Sequence, residues 1–309
     1  ETFDVPPTKL IHIDINQEEI GRNFNTVIGA ICDAKAALEA ILAAAKKKYP
    51  YGVKRPEKTA AIAAAKAAYK ETLVAAQNSP QFPMRPERIL KDLREALPKD
   101  GYVVADVGWN KNGVGQQFEI YEPGTFVAPG GLCTMGYGPS AALGVKVANP
   151  DKKVVALIGD GGMGTNVSPF ATAAMDGVAV VWVVMNNCAF GTIAGLERQH
   201  YDHQFGTLFM RDGEPYSPDF AAIAEAYGIK GYQITKAEDF KPALEEALAS
   251  NKPCVIDVRM ENAPVVTWGC WNINDIYRKR GEEKPWRQWA WEETEPWYMP
   301  ELKDKKKKK

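Results

Sequence analysis

Residues 158–170 read IGDGGMGTNVSPF and complete an apolar run, KVVALIG, that begins at Lys153. A continuous apolar run of this length has the pattern of a strand buried on both faces. Gly159, Gly161, Gly162 and Gly164 let the backbone turn tightly and approach a ligand closely. Asn166 or Ser168 is predicted to cap a following helix, with Pro169 suited to its first turn. Free N–H groups at such a helix start, together with the helix dipole, attract phosphate oxygens.

The same unit recurs on both sides of this stretch. A helix is predicted at 85–97 before the strand GYVVADV (101–107), and another at 139–148 before KVVALIG (153–159). A helix at 168–176 leads to VAVVWVVM (178–185), and later come a helix at 218–227, GYQI (231–234), a helix at 237–249 and CVIDVRM (254–260). Buried strands alternating with helices indicate an α/β fold, a parallel sheet covered by helices on both faces. Right-handed crossovers place the strand-to-helix turns along one sheet edge, where such sheets bind ligands.

Upstream, KLIHIDI (9–15) alternates like a strand and DAKAALEAILAAAKKK (33–48) has a helical pattern. One strand and one or two helices do not enclose a core. Residues 1–50 are therefore expected to be the C-terminal part of a second α/β domain, 51–83 a helical linker and 84–262 the phosphate-binding domain. The Ala/Lys-rich run between Pro56 and Pro80 fits the linker. Residues 263–309 hold six of the eight tryptophans and little periodicity. They are expected to form a tail strapped onto the domain or an aromatic lid, ending in a solvated lysine run.

Asp160 stands inside the glycine turn, where a carboxylate repels phosphate unless a cation bridges them. Mg2+ does so with oxygen ligands. A second ligand is expected from the next turn. VAVVWVVM ends at Asn186-Asn187, one helix and one strand after Asp160, so both turns reach the same sheet edge. The Asn187 side-chain oxygen can bind the metal, and so can a free carbonyl such as that of Ala189. GDGG alone is an ordinary α/β turn, but GDGG followed by a helix, a buried strand and Asn-Asn is far more specific. A dinucleotide site does not fit, because the pattern is not G-x-G-x-x-G and no acidic residue ends the following strand.

The formal net charge is -1, which gives no pull toward nucleic acid or anionic membrane. No apolar run approaches the roughly 18 residues of a membrane helix. Five cysteines without a Cys-x-x-Cys pair argue against a zinc or cluster site and fit a reducing cytoplasm.

These residues resemble the acetolactate synthase/pyruvate oxidase superfamily of thiamine-diphosphate (ThDP) enzymes, in which GDG followed by NN is the cofactor signature. The resemblance covers essentially the whole chain, read as the end of the family's middle domain followed by its diphosphate-binding domain. It implies ThDP and Mg2+ as cofactors and Asp160, Asn187 and Ala189 as metal ligands. Gly159, Gly161, Gly162, Met163, Phe190 and Gly191 would line the same cradle. GGLCTMGYGPSAALG (130–144) is similar to a second family segment. There Met135 would prop the cofactor in its bent shape, and the Cys133 carbonyl would accept a bond from its aminopyrimidine. In VVADVGWNKNG (103–113), Gly108 and Asn110 match a diphosphate contact, although Trp109 and Asn110 replace the common Gln-His.

Leu196 stands where acetolactate synthases carry a tryptophan, and no glutamate here matches the one that activates the cofactor. Glu197 reads as a charged helix or loop residue. The family's pyrimidine-binding domain is expected on a second polypeptide, in a dimer or tetramer of the assembled unit. The implied reaction is C–C bond cleavage or formation at a 2-oxo acid or related carbonyl, by a carboligase or decarboxylase that cannot act alone. Three alternatives remain: a 2-oxoacid oxidoreductase subunit, a two-chain decarboxylase, and a non-catalytic assembly subunit with the same fold. His200 and His203 are candidates for proton carriers.

Overall fold

The computed structural model describes residues 7–201 and 204–262, with side chains for all of these except 198–201. The expectations placed on the first six residues, on the His200 side chain, on His203 and on the 263–309 tail lie outside the described residues. The chain divides into two compact units, one running through Glu71 and the other starting at Thr72.

In the first unit, β1 (Ile11–Asp14) pairs in parallel with β2 (Ile28–Ile31), a strand the sequence reading did not pick out. Helix α1 (Ala34–Lys48) starts at Asp33, whose carboxylate accepts the Ala36 N–H at 2.9 Å, an N-cap worth about 1 kcal/mol. Three lysines close its last turn, where they complement the carbonyl end of the helix dipole. Helix α2 (Pro56–Gln77) buries only Leu73. Its stability comes from alanine and lysine propensity rather than packing.

The second unit contains α3 (Pro86–Ala96), β3 (Tyr102–Ala105), α4 (Trp109–Gln117), β4 (Phe126–Val127), α5 (Tyr137–Ala148) and β5 (Val154–Gly159). After them come α6 (Asp160–Thr165), α7 (Pro169–Asp176), β6 (Val181–Asn186) and α8 (Gly191–Tyr201). A two-stranded hairpin, β7 (Met210–Arg211) and β8 (Glu214–Pro215), precedes α9 (Phe220–Ala226), β9 (Lys230–Ile234), α10 (Ala237–Ser250) and β10 (Cys254–Arg259). Six strands form one parallel sheet in the order β4-β3-β5-β6-β10-β9.

Alternate strand residues serve opposite faces. Val103, Val155, Leu157, Val183 and Ile256 pack with Ile89 and Leu93 of α3 and Phe240 and Leu244 of α10. Val104, Ala156, Ile158, Trp182, Val184 and Val255 pack with Ala142 of α5, Phe170 of α7 and Phe220 of α9. Each large side chain so buried contributes roughly 1.5–3 kcal/mol. The central strands need this, since both faces are sealed by helices.

One local expectation is corrected. No loop separates Gly159 from a helix capped at Asn166 or Ser168. Helix α6 begins at Asp160, Asn166 ends it, and Ser168 precedes α7 without a side-chain cap hydrogen bond. Glycine disfavours helix, so the sequence reads as loop.

Candidate cofactor site

The C-terminal ends of β3, β5 and β6 lie side by side. Register aligns Gly159 with Met185 across β5 and β6, and Asn186 with Arg259 across β6 and β10. The residues just beyond, Asp160 and Asn187, are therefore brought together by strand pairing alone.

With its nitrogen donating to Asn262 Oδ1 at 2.9 Å, the Asn187 side chain turns its oxygen toward Asp160 Oδ1 and the Ala189 carbonyl oxygen, each 3.1 Å away. Three oxygens then converge with no proton between them. Turned over, the amide would donate to both acceptors instead. Asp160 Oδ2 is buried and has no hydrogen-bond partner. An oxygen-only donor set with an orphaned carboxylate oxygen suits a hard divalent cation such as Mg2+.

Burial pushes the Asp160 carboxyl up to about 7, against the N–H groups of Gly161, Cys188 and Asp160 itself and the charge of Arg259. Burial therefore disfavours the carboxylate by on the order of 4 kcal/mol relative to a solvated one, a penalty that a cation beside it would offset. The turn that carries Ala189 is shaped by Cys188, which is left-handed at φ 56°. The Arg259 guanidinium donates to Cys188 Sγ and, at 3.0 Å, to Asn186 Oδ1. Asn186 in turn donates to Asp257 Oδ1 at 2.9 Å, and the other Asp257 oxygen accepts the Phe220 N–H at 3.1 Å.

A segment after α8 covers this turn. Phe190 N donates to the Thr207 carbonyl and Phe209 N to the Cys188 carbonyl. The Phe190 and Phe209 rings meet edge to face, with centroids 4.7 Å apart. A Cβ on Gly161 would stand 2.6 Å from the Phe190 ring, so only glycine allows this approach. Gly191 likewise leaves no room, since its Cβ would meet Asn187 Nδ2 at 2.5 Å.

On the β3 side, Gly108 has φ 98° and ψ -147°, a conformation open to glycine alone, and begins α4. Asn110 is buried, donates to the Val107 carbonyl at 3.1 Å and lies beside Gly159. Its amide is thus partly committed to the protein. Cys133 is left-handed at φ 52°, and its sulfur accepts a bond from Lys111 Nζ at 3.1 Å. Met135 stays 39 % exposed, so its side chain is available to a ligand. Met163 is different: its side chain is fully buried among core residues, and only its backbone remains for a ligand.

Glu197 accepts from the Phe205 N–H at 3.0 Å and the Thr207 hydroxyl at 2.7 Å. It therefore holds the covering segment and is not a solvated surface charge. Leu196 is exposed. Asp106, Asn262, Arg259 and Phe209 went unread in the sequence. Each closes a strand or loop with nothing unusual in its neighbours, and only the three-dimensional register brings them to the site.

Residues 106–258 match the family described as "Thiamine pyrophosphate enzyme, C-terminal TPP binding domain". The chain is 33 % identical over 296 residues to a "Probable acetolactate synthase large subunit" of Methanocaldococcus jannaschii, covering 91 % of this chain and 48 % of that protein. Residues 106–258 belong to the thiamine pyrophosphate enzyme family, as its C-terminal TPP binding domain. The "Acetolactate synthase large subunit" of Corynebacterium glutamicum is 30 % identical, covering 83 % of this chain and 41 % of its own length. Among solved structures, a Rhodococcus jostii thiamine diphosphate-dependent 4-hydroxybenzoylformate decarboxylase is similar with a TM-score of 0.54 and 28 % identity, covering 59 % of this chain and 33 % of that one. The chain thus spans about half the length of the curated relatives it matches. Asp106, Asp160 and Asn187 all fall within the matched TPP-binding domain.

Proposed function

We propose that this chain holds the diphosphate and Mg2+ of ThDP and serves a carboligase of the acetolactate-synthase type acting on a 2-oxo acid. The meeting of Asp160, Asn187 and the Ala189 carbonyl at the ends of β5 and β6, with Asp160 Oδ2 left without a partner, carries this reading. The relatives' names support the reaction class. ThDP bound here would supply a carbon nucleophile for carbonyls and an electron sink for C–C bond making and breaking.

The chain's own groups would do four things. Asp160, Asn187 and the Ala189 carbonyl would hold the cation, whose charge stabilises the Asp160 carboxylate. The glycine turn at Gly159, Gly161 and Gly162 would let the backbone approach the phosphates, with Gly108 and Asn110 beside it. Phe190 and Phe209 would keep water from the metal side. Met135 and the Cys133 carbonyl would receive the ring end of the cofactor.

The half-exposed Met135 leaves one wall of the ring site to other residues. We assign that wall, with the carboxylate that activates the cofactor, to a pyrimidine-binding domain of the assembled enzyme, outside residues 84–262. Residues 1–50 would extend a middle domain joined to this one through the helix over 56–77. Among the described residues no helix is long and apolar enough to cross a membrane. Among the described residues, the four cysteines at 32, 133, 188 and 254 are free, which suits the cytoplasm.

A decarboxylase is the second reading, favoured by the similarity to the benzoylformate-type enzyme. Product analysis separates the two. The chain, assembled with its complement and fed pyruvate, should yield a five-carbon acetohydroxy acid. Aldehyde and CO2 without a new C–C bond would favour the decarboxylase.

A further inference from the structure

Asp106 directly follows β3 and is buried, yet neither the metal nor the diphosphate reading uses it. Its own N–H bonds the Leu157 carbonyl, which fixes it to β5. One carboxylate oxygen accepts the Val107 N–H at 2.5 Å, at the turn leading to Gly108. The other accepts the N–H groups of Gly136 at 2.9 Å and Gly138 at 3.2 Å, on the loop that carries Met135. A Cβ on Gly162 would lie 3.0 Å from that second oxygen, so the glycine turn also packs on it.

A second group grips the same loop from the opposite side. Asn166, at the end of α6, donates to the Gly136 carbonyl at 2.9 Å and to Ser140 Oγ at 3.0 Å. The residue after Met135 is thus held at its N–H by Asp106 and at its carbonyl by Asn166. Gly136 is left-handed at φ 78°, and a Cβ there would meet Thr165 Oγ1 at 2.6 Å. The loop therefore has one defined path at this point, while the Met135 side chain remains exposed.

We propose that Asp106, assisted by Asn166, is a positioning residue that sets the path of the loop carrying Met135 and the Cys133 carbonyl relative to the metal turn, and so selects for the ring end of ThDP rather than for its diphosphate. Of the three N–H groups that this carboxylate accepts, two, those of Gly136 and Gly138, lie on the loop that carries Met135. A fixed acceptor for several backbone N–H groups pre-organises the loop, so that less ordering is required when the cofactor arrives. The inference rests on the cofactor reading given under Proposed function.

Asparagine at 106 is isosteric, but whichever way it turns, an amide nitrogen faces a backbone N–H donor. Asp106→Asn and Asn166→Ala are compared with the wild-type full chain by calorimetry in Mg2+, using ThDP and inorganic pyrophosphate as separate probes. Amide exchange at Gly136 and Gly138 is followed alongside. Both variants should weaken ThDP, by about tenfold in Asp106→Asn, and leave pyrophosphate within about twofold. Exchange at Gly136 and Gly138 should quicken at least tenfold while β5 amides stay protected. Equal weakening of both probes, or unchanged ThDP affinity with a loosened loop, overturns the proposal and leaves the cofactor reading standing. A wild-type chain that binds neither probe overturns both.

Discussion

Asp160 Oδ1 and the Asn187 side-chain amide stand 3.1 Å apart at the ends of two adjacent parallel strands. Only a proton donor or a cation between them makes that distance favourable, because the nearer Asn187 atom also faces the Ala189 carbonyl. On the proposed reading, the amide would donate to Asp160 and Ala189 without a cation and turn its oxygen to the cation when one is bound. Asn187→Asp should make this visible. A second carboxylate beside Asp160 repels it, so the melting temperature in EDTA should fall by several degrees, and Mg2+ should restore most of the loss. Equal melting in EDTA and Mg2+ would count against the cation site.

The pH dependence has two opposite signs. The Asp160 carboxyl is raised from its ordinary 3.8 to about 7, so the folded, cation-free chain binds that proton more tightly than the unfolded chain. Its contribution to stability is fully present below about pH 4 and is lost as pH rises through about 7. Cation binding needs the carboxylate, so Mg2+-dependent ThDP affinity should rise up to about pH 7 and level off above it. At pH 6 it should be about tenfold weaker than at the plateau. Calorimetry from pH 5.5 to 8 measures this, and Asp160→Asn should flatten the stability profile in EDTA.

Gly161→Ala places a methyl group 2.6 Å from the Phe190 ring, which also packs on Phe209. Overpacking of this kind costs about 1–3 kcal/mol. ThDP affinity should drop with it. Removing the ring should recover stability, so Gly161→Ala/Phe190→Ala should cost less than the sum of the two single changes. Additive losses in chemical denaturation would show that Phe190 is not what requires glycine at 161.

Met135 is exposed but sits on a loop gripped on either side of Gly136. Met135→Ala removes a side chain from the ring end and leaves the metal turn intact. In the assembled enzyme turnover should fall more than tenfold, with ThDP affinity within about threefold. Equal losses in both would mean that Met135 serves the fold.

The strands were legible because burial on both faces writes an unbroken apolar run, as in Val154–Gly159 and Val181–Asn186. Helices α3, α5, α7, α9 and α10 followed from length and periodicity, whereas α4 and α8 were not read. Asp160 and Asn187 were legible because strand ends in a parallel sheet share an edge. Helix α6 was not, since four glycines in seven residues carry no helical signal. Strands β2 and β4 are only four and two residues long, too short for a pattern. Asp106 looked like any polar residue closing a strand. Its role depends on Gly136 and Gly138, thirty and more residues away, meeting it across the fold. Glu197 showed the converse: a helix-face charge by sequence, it is tied to Phe205 and Thr207 by contacts that its own helix does not encode.

The central claim is that Asp160 anchors ThDP through a divalent cation. Titration of ThDP into the wild-type chain and into Asp160→Ala, each with Mg2+ and with EDTA, tests it most directly. The wild type should bind ThDP in Mg2+ and lose at least a hundredfold in EDTA, and Asp160→Ala should be weak in both. Asp160→Ala binding ThDP as tightly as the wild type in Mg2+ would contradict the claim.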